Sequence, residues 1–213
     1  EELQRKGHIF ATHTDSEVLI HGFEEWREGL LNRLRGMFGF AIWNTVDKSL
    51  FIARDFFGIK PMHYTKVGDH LVYGSEIKSI LQFPGFEKKF NYDTLNNYLS
   101  FQYAVPPQTF FENLYCLLPG HYLWYKNGKI TTTRYWEAMF EPQNDMTEAQ
   151  AVDKIEKVFA NSVDTHKISD VEVGCFLSSG VDSSYVSTYF PGQKAFTVGF
   201  DFGEKYNEID FAK

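Results

Sequence analysis

A chain of 213 residues has room for one large domain or two small ones, and 43% hydrophobic with 17% aromatic residues excludes a disordered polymer. A net charge of −7, from 28 acidic and 21 basic residues, argues against a nucleic-acid partner, since the longest basic cluster is Lys88-Lys89. No apolar run approaches the ~18 residues of a membrane span and no signal peptide is visible, so no membrane partner is expected. Two cysteines, Cys116 and Cys175, sit outside any C-x-x-C pair and fit buried thiols in a reducing cytoplasm.

Residues 7–12 have strand chemistry. Thr14-Asp15-Ser16-Glu17 then carries a capping-box pattern, Thr14 with Glu17 three residues on, which predicts a helix through Val18, Leu19 and Phe23. Read from the residues alone, Asp15 is a first-turn acid favoured by the helix dipole. Residues 37–43 and 50–53 predict strands joined at Asn44-Thr45-Val46-Asp47. Residues 62–66 and 71–74 predict a second hairpin turning at Val67-Gly68-Asp69. Short helices are expected at 76–81, stopped by Pro84-Gly85, and at 93–100. Residues 121–125 and 129–133 flank Lys126-Asn127-Gly128, and Asn-Gly is the strongest short-range hairpin signal. Several hairpins and few helices up to Trp136 predict a mainly antiparallel α+β domain.

The composition turns polar at Glu141-Pro142-Gln143-Asn144-Asp145, which reads as a linker. Thr147, with Gln150 as capping partner, opens a helix in which Val152, Ile155, Phe159 and Val163 recur at helical spacing. Residues 171–177 are nearly continuously apolar, as a strand buried in a parallel sheet requires. A helix at 183–190 and a second apolar run at 195–200 follow. Helix, strand, loop, helix, strand is the opening of an α/β domain, whose ligands bind at the carboxyl ends of the strands.

At that place the chain reads Ser178-Ser179-Gly180-Val181-Asp182-Ser183-Ser184. Small side chains let phosphate oxygens approach backbone N–H groups, and a helix N-terminus adds its positive dipole end. No Gly-Lys-Ser/Thr closes the loop, so it is not a Walker A sequence. It has instead an acid, Asp182, which makes sense beside phosphates when a divalent cation lies between them. Cleavage of ATP between its α and β phosphates is the reading. The seven histidines are expected to be solvated or satisfied: His8 and His13 flank a strand end without metal-ligand spacing, and His121 and His166 have no partner pattern.

This loop resembles the PP-loop, Ser-Gly-Gly-x-Asp-Ser, of the N-type ATP pyrophosphatases. The longer string from Ser169 to Ser184 is similar to that of glutamine-hydrolysing asparagine synthetases of the B type. Ser179 stands where the family pattern has its first Gly. Upstream, Phe10-Ala11-Thr12-His13-Thr14-Asp15-Ser16-Glu17-Val18-Leu19-Ile20 resembles the segment with which class II glutamine amidotransferases hold the substrate's α-amino group. Arg35-Gly36-Met37-Phe38-Gly39-Phe40-Ala41-Ile42-Trp43, Ala53-Arg54-Asp55-Phe56-Phe57-Gly58-Ile59-Lys60-Pro61-Met62 and Gly74-Ser75-Glu76-Ile77-Lys78 match the same domain in the same order.

The resemblance implies an Ntn-type glutaminase domain over 1–140, a linker over 141–146 and the start of a PP-loop synthetase domain over 147–213. The implied activity is ATP-dependent amidation of aspartate with ammonia from glutamine, through a β-aspartyl-adenylate. Glutamine, aspartate and ATP are the implied partners, Mg²⁺ the implied cofactor, and a homodimer stays open. Asp15 would bind glutamine, with Thr12 to Thr14 as wall. Ser178, Ser179, Gly180, Val181, Asp182, Ser183 and Ser184 would hold pyrophosphate, Asp182 the metal, and Phe176, Leu177, Val198 and Gly199 the adenosine. The family's nucleophile, an N-terminal Cys, is not among these residues. With a start at Glu1 and an end at Lys213, the chain reads as cut from a longer protein, inactive by itself. Tyr206-Asn207-Glu208 resembles a family segment without an assignable role, and Arg54 with Asp55 reads as a structural ion pair fixing the turn ahead of Gly58 and Pro61. The same pattern also suits a β-lactam synthetase-like or other amidating enzyme, or a non-catalytic binding module.

Overall fold

A computed structural model describes residues 1–142, 145–178, 180–199 and 209. The chain divides into two compact units, Glu1–Met139 and Phe140–Lys213.

The first unit opens with a single helical turn, α1 (Glu2–Arg5), and a longer helix, α2 (Asp15–Trp26), that runs into a 3₁₀ segment, Arg27–Arg33. Residues 7–12 are not the expected strand. The Ala11 and Thr12 N–H groups donate to the Glu17 carboxylate at 2.6 and 2.7 Å, so a side chain takes the donors that a ladder would have used. Strands β1 (Gly39–Asn44) and β2 (Ser49–Arg54) form the first predicted hairpin, and β3 (His63–Val67) and β4 (His70–Gly74) the second. Helices α3 (Ile77–Ile80) and α4 (Tyr92–Phe101) follow, then β5 (Leu114–Cys116), which sequence patterning did not reveal. Strands β6 (His121–Lys126) and β7 (Lys129–Arg134) turn at Asn127 and Gly128, with φ of 52° and 75°, as an Asn-Gly hairpin demands.

These strands make two antiparallel sheets, ordered β1-β2-β6-β7 and β4-β3-β5. Strand β2 sets the layers. Successive side chains point to opposite faces of a strand. Phe51 and Ala53 join Phe23, Leu30 and Leu31 in one core, under α2 and the 3₁₀ segment. Leu50 and Ile52 join Met62, Leu117 and Leu123 in the other, between the sheets. Helix, sheet and second sheet are therefore stacked through one six-residue strand.

The second unit contains α5 (Glu148–His166), β8 (Cys175–Phe176), α6 (Val181–Thr188) and β9 (Ala195–Phe196). The expected capping box is complete: the Thr147 hydroxyl accepts from the Gln150 N–H, and the Gln150 side chain accepts from the Thr147 N–H. Strands β8 and β9 pair in parallel, with Cys175 opposite Ala195 and Phe176 opposite Phe196. The ordering helix, strand, helix, strand is the predicted one. Two details differ. The strand expected over 171–177 has two ladder residues, and Val171 and Phe176 are 74% and 78% exposed. In the α5 stripe Val163 is buried, whereas Val152 and Ile155 are mostly exposed. Among the described residues this sheet has two strands, too few to cover either its own faces or the N-terminal half of α5. Phe159 does find partners, the Tyr185 ring of α6 at 4.7 Å and the Tyr189 ring just after it at 5.5 Å. Among the described residues no helix is long and apolar enough to cross a membrane.

Candidate functional sites

In the first unit the candidate is the start of α2. Thr14 caps the helix by accepting from the Glu17 N–H. Only half of the predicted capping box forms, because the Glu17 carboxylate turns to the Ala11 and Thr12 backbone and the Thr12 hydroxyl rather than to Thr14. The Thr12 hydroxyl, then the Ala11 N–H, hold the Glu17 carboxyl down at about 2. Residues 10–14 are thereby tied to the first turn of α2. Asp15 stands on that turn, exposed, with the Ser16 hydroxyl 3.4 Å from Oδ1. A cleft of about 510 Å³ opens alongside, lined by Phe10, Thr12, His13, Val18, Trp26 and Leu34, among others. The expected wall residues Thr12 and His13 border it, and Asp15 is not in its lining.

Arg54 and Asp55 do not form the expected ion pair. Asp55 is buried and accepts from the backbone N–H groups of Ile59 and Lys60, both at 2.9 Å, and of Phe38 at 3.3 Å. Arg54 donates to the carbonyls of Gly58, Lys60 and Leu117 at 2.6 to 2.8 Å. The two charges bond the two edges of one loop instead of each other, because a turn at residues 56–60 leaves backbone donors and acceptors that no strand satisfies. Gly58, at φ 65°, has room for neither a Cβ nor a different backbone: a methyl there would lie 2.8 Å from Pro119 and 2.9 Å from the Arg54 guanidinium carbon.

In the second unit the candidate is the β8–α6 loop. Leu177 N–H donates to the Phe196 carbonyl at 2.9 Å, and the Thr197 hydroxyl to the Leu177 carbonyl at 2.8 Å, which fixes the strand end. Ser183 Oγ accepts from the Ser178 N–H at 3.1 Å, lies 3.1 Å from Ser178 Oγ and donates to the Gly180 carbonyl. The loop is thus closed by its own hydroxyls. Gly180 is the N-cap of α6 at φ −73°, with no side-chain cap, so no capping side chain takes the first-turn N–H groups. Asp182, in that turn, is exposed and has no hydrogen bond or ion pair to another described residue. Phe176, Leu177, Val181, Ser184, Val198 and Gly199 flank the same loop and strand ends. Ser179, Phe200 and the Tyr206-Asn207-Glu208 segment lie outside the described residues.

One grouping escaped sequence reasoning. His8, expected to be solvated, meets His21 of α2, with Glu24 beside both. Glu17, His21 and Glu24 at i, i+4 and i+7 mark one helix face and were a usable signal. The arrival of His8 from the preceding segment was not.

The glutamine amidotransferase domain family matches residues 1–136. The chain belongs to this family. The asparagine synthase family matches residues 154–213, so both resemblances read from the motifs recur in the same order. Asparagine synthetase [glutamine-hydrolyzing] 1 of Bacillus subtilis is 37% identical over 218 residues, covering 100% of this chain and 34% of the relative. Asparagine synthetase [glutamine-hydrolyzing] 3 of the same organism is 34% identical over 193 residues, covering 90% of this chain and 31% of the relative. The chain thus spans about a third of the length of these curated relatives. Among solved structures, the glutamine phosphoribosylpyrophosphate amidotransferase of B. subtilis aligns with a TM-score of 0.42 at 17% identity, covering 96% of this chain and 44% of that one.

Proposed function

We propose that this chain carries parts of the two sites of a glutamine-dependent asparagine synthetase: a glutaminase-type domain over 1–140, a linker over 141–146 and the opening of an ATP-binding synthetase domain over 147–213. The observation that carries the reading is that the two family matches fall in order, one in each compact unit.

Glutamine is hydrolysed at the first site to glutamate and ammonia. At the second, the aspartate β-carboxylate attacks the α-phosphorus of ATP and pyrophosphate leaves. Ammonia then attacks the acyl carbon of β-aspartyl-AMP, and AMP leaves. Asp15 serves the first site by accepting from the glutamine α-ammonium; its exposed carboxylate, on a turn fixed by Glu17, suits that role. The second site uses Ser178, Ser179, Gly180, Val181, Asp182, Ser183 and Ser184 for pyrophosphate. The uncapped N–H groups of α6 fit an anion, and the Asp182 carboxylate, unpartnered among the described residues, fits a hard divalent cation. Mg²⁺ held there would neutralise charge on the departing pyrophosphate. Phe176, Leu177, Val198 and Gly199 serve adenosine through backbone and shape. The setting is the cytoplasm.

Full-length protein assayed with both nitrogen donors tests the reading. Asp15→Ala should lower glutamine-dependent synthesis roughly 10- to 100-fold, the loss of one charged hydrogen bond, and spare ammonia-dependent synthesis. Asp182→Asn should remove pyrophosphate release and leave glutamine hydrolysis measurable. An Asp182→Asn enzyme that releases pyrophosphate at the original rate would refute the second site.

A further inference from the structure

The segment ahead of α2 and the helix itself bring two imidazoles face to face. His8 Nδ1 and His21 Nδ1 are 3.2 Å apart. Glu24 Oε2 lies 3.4 Å from His21 Nδ1 and 3.9 Å from His8 Nδ1. Among the described residues, this is the one group of three whose potential ligand atoms all lie within 4.8 Å of one another. An ion about 2.0–2.1 Å from each of two tetrahedral donors needs those donors roughly 3.3–3.4 Å apart. Two of the three edges have that length already. The third shortens by a rotation of Glu24, whose side chain is 61% exposed.

The far side of each ring is also provided for. His8 Nε2 is 3.4 Å from Glu25 Oε2, and His21 Nε2 is 3.5 Å from Glu17 Oε1. A metal-bound histidine commonly donates its other ring N–H to a carboxylate, which fixes its tautomer and orientation. Here a carboxylate stands at that place for each ring, and both carboxylates are themselves held: Glu25 by Lys6 Nζ at 2.7 Å, Glu17 by the Ala11 and Thr12 N–H groups. With Nε2–H donated to Glu25 and Glu17, both Nδ1 atoms present lone pairs to the same point. Without an ion, His21 in its Nδ1–H tautomer donates toward His8 Nδ1 and Glu24, since a carboxylate only accepts. A metal ion bound between the two Nδ1 atoms would take the place of that one hydrogen bond. Three carboxylates, Glu17, Glu24 and Glu25, stand around the rings, with Lys6 paired to Glu25, and a divalent ion adds charge of the opposite sign.

We propose that His8, His21 and Glu24 form a binding site for a borderline divalent transition metal such as Zn²⁺, through the two Nδ1 atoms and one carboxylate oxygen. The fourth position faces solvent, and Glu25 and Glu17 orient the two imidazoles. Two nitrogens and one oxygen suit Zn²⁺ or Co²⁺ better than Mg²⁺ or Ca²⁺, which take oxygen donors. None of the three ligands is among the residues proposed for glutamine or for ATP. Its effect would be to clamp the residues before α2 onto the helix.

The test is titration of the full chain, stripped with chelator, by Zn²⁺ in calorimetry and by Co²⁺ in visible absorption. The expected result is one ion per chain, with Co²⁺ bands of four- or five-coordinate intensity. His8→Gln and His21→Gln should each weaken Zn²⁺ binding at least about 100-fold, and the orienting change Glu25→Gln about 10-fold. His166→Gln should change nothing. Metal-free thermal melts identify any variant that misfolds. In that case exposed Glu24→Gln decides, with an expected loss of about 10-fold. Absence of saturable binding would overturn the proposal and leave the ring-to-ring hydrogen bond alone. So would undiminished binding by folded His8→Gln, His21→Gln or Glu24→Gln protein.

Discussion

The two units solve the same problem to different extents. Before residue 140 the chain interleaves two cores through one strand, with Phe51 and Ala53 on one face of β2 and Leu50 and Ile52 on the other. After it, the described residues bury Val163 and Cys175, and leave Val152, Ile155 and Phe176 mostly exposed. The difference is one of layers. A strand buried on both faces needs material above and below it. The first unit supplies a helix and a second sheet, whereas the described residues of the second supply α5 and α6 beside a two-residue parallel pair. All four tryptophans, Trp26, Trp43, Trp124 and Trp136, lie in the first unit, so tryptophan fluorescence reports that unit alone.

The largest expected contrast is between two aspartates. Asp55→Ala strips the acceptor from three backbone N–H groups at a buried site and should destabilise the first unit by about 3–5 kcal/mol. Asp182→Ala removes an exposed acid and should stay within about 0.5 kcal/mol. Denaturant unfolding, followed by fluorescence for the first variant and far-ultraviolet dichroism for the second, checks both. Equal costs would break the comparison.

Next comes the apolar pair. Phe51→Ala should cost about 3–5 kcal/mol, because the ring touches Phe23, Tyr122 and Trp124 and leaves a cavity the two cores cannot close. Ile155→Ala, on the open face of α5, should cost under about 1 kcal/mol in the same measurement. A large Ile155 effect would mean that something covers that face in solution.

Smaller still is the capping pair. Thr147→Ala removes a complete capping box and should cost the second unit about 1 kcal/mol. Thr14→Ala removes only half of one, through a 3.4 Å bond, and should cost less. Dichroism at the helix band, recorded through thermal melts, ranks the two.

The last prediction concerns pH. Burial, and secondarily the charge of Asp55, raise the Tyr135 phenol above its ordinary value. Its hydroxyl donates to the Arg54 carbonyl at 2.7 Å. Unfolded tyrosine loses its proton near pH ~10, whereas the folded side chain keeps it. Above that pH the unfolded state binds fewer protons, so stability falls as pH rises; below it this group adds no slope. Melts from pH 8 to 11 should show the decline in the first unit, and Tyr135→Phe should flatten it.

The hairpins were legible because Asn127-Gly128 and Gly68 mark turns by local chemistry, and alternation marks the strands between them. The Thr147 cap was legible for the same reason: both partners lie within one helical turn. The PP-loop and amidotransferase segments were legible as strings, and the family matches bear out that reading.

Other features depend on distance along the chain. Residues 7–12 read as a strand, yet the Gly7 and His8 N–H groups go to the Gln4 and Leu3 carbonyls, and those of Ala11 and Thr12 to Glu17. Strand β5 has three residues and exists because β3 lies beside it. Arg54 and Asp55 read as partners because they are adjacent, but each found stronger bonds to the loop backbone that folding brought round. The meeting of His8 with His21 is of the same kind. Local sequence determined where the chain turns and which segments are regular, since those choices depend on φ, capping and periodicity within a few residues. Tertiary structure decided which polar groups meet, because a buried donor or acceptor takes whichever partner packing delivers, and sequence neighbours have no priority in that choice.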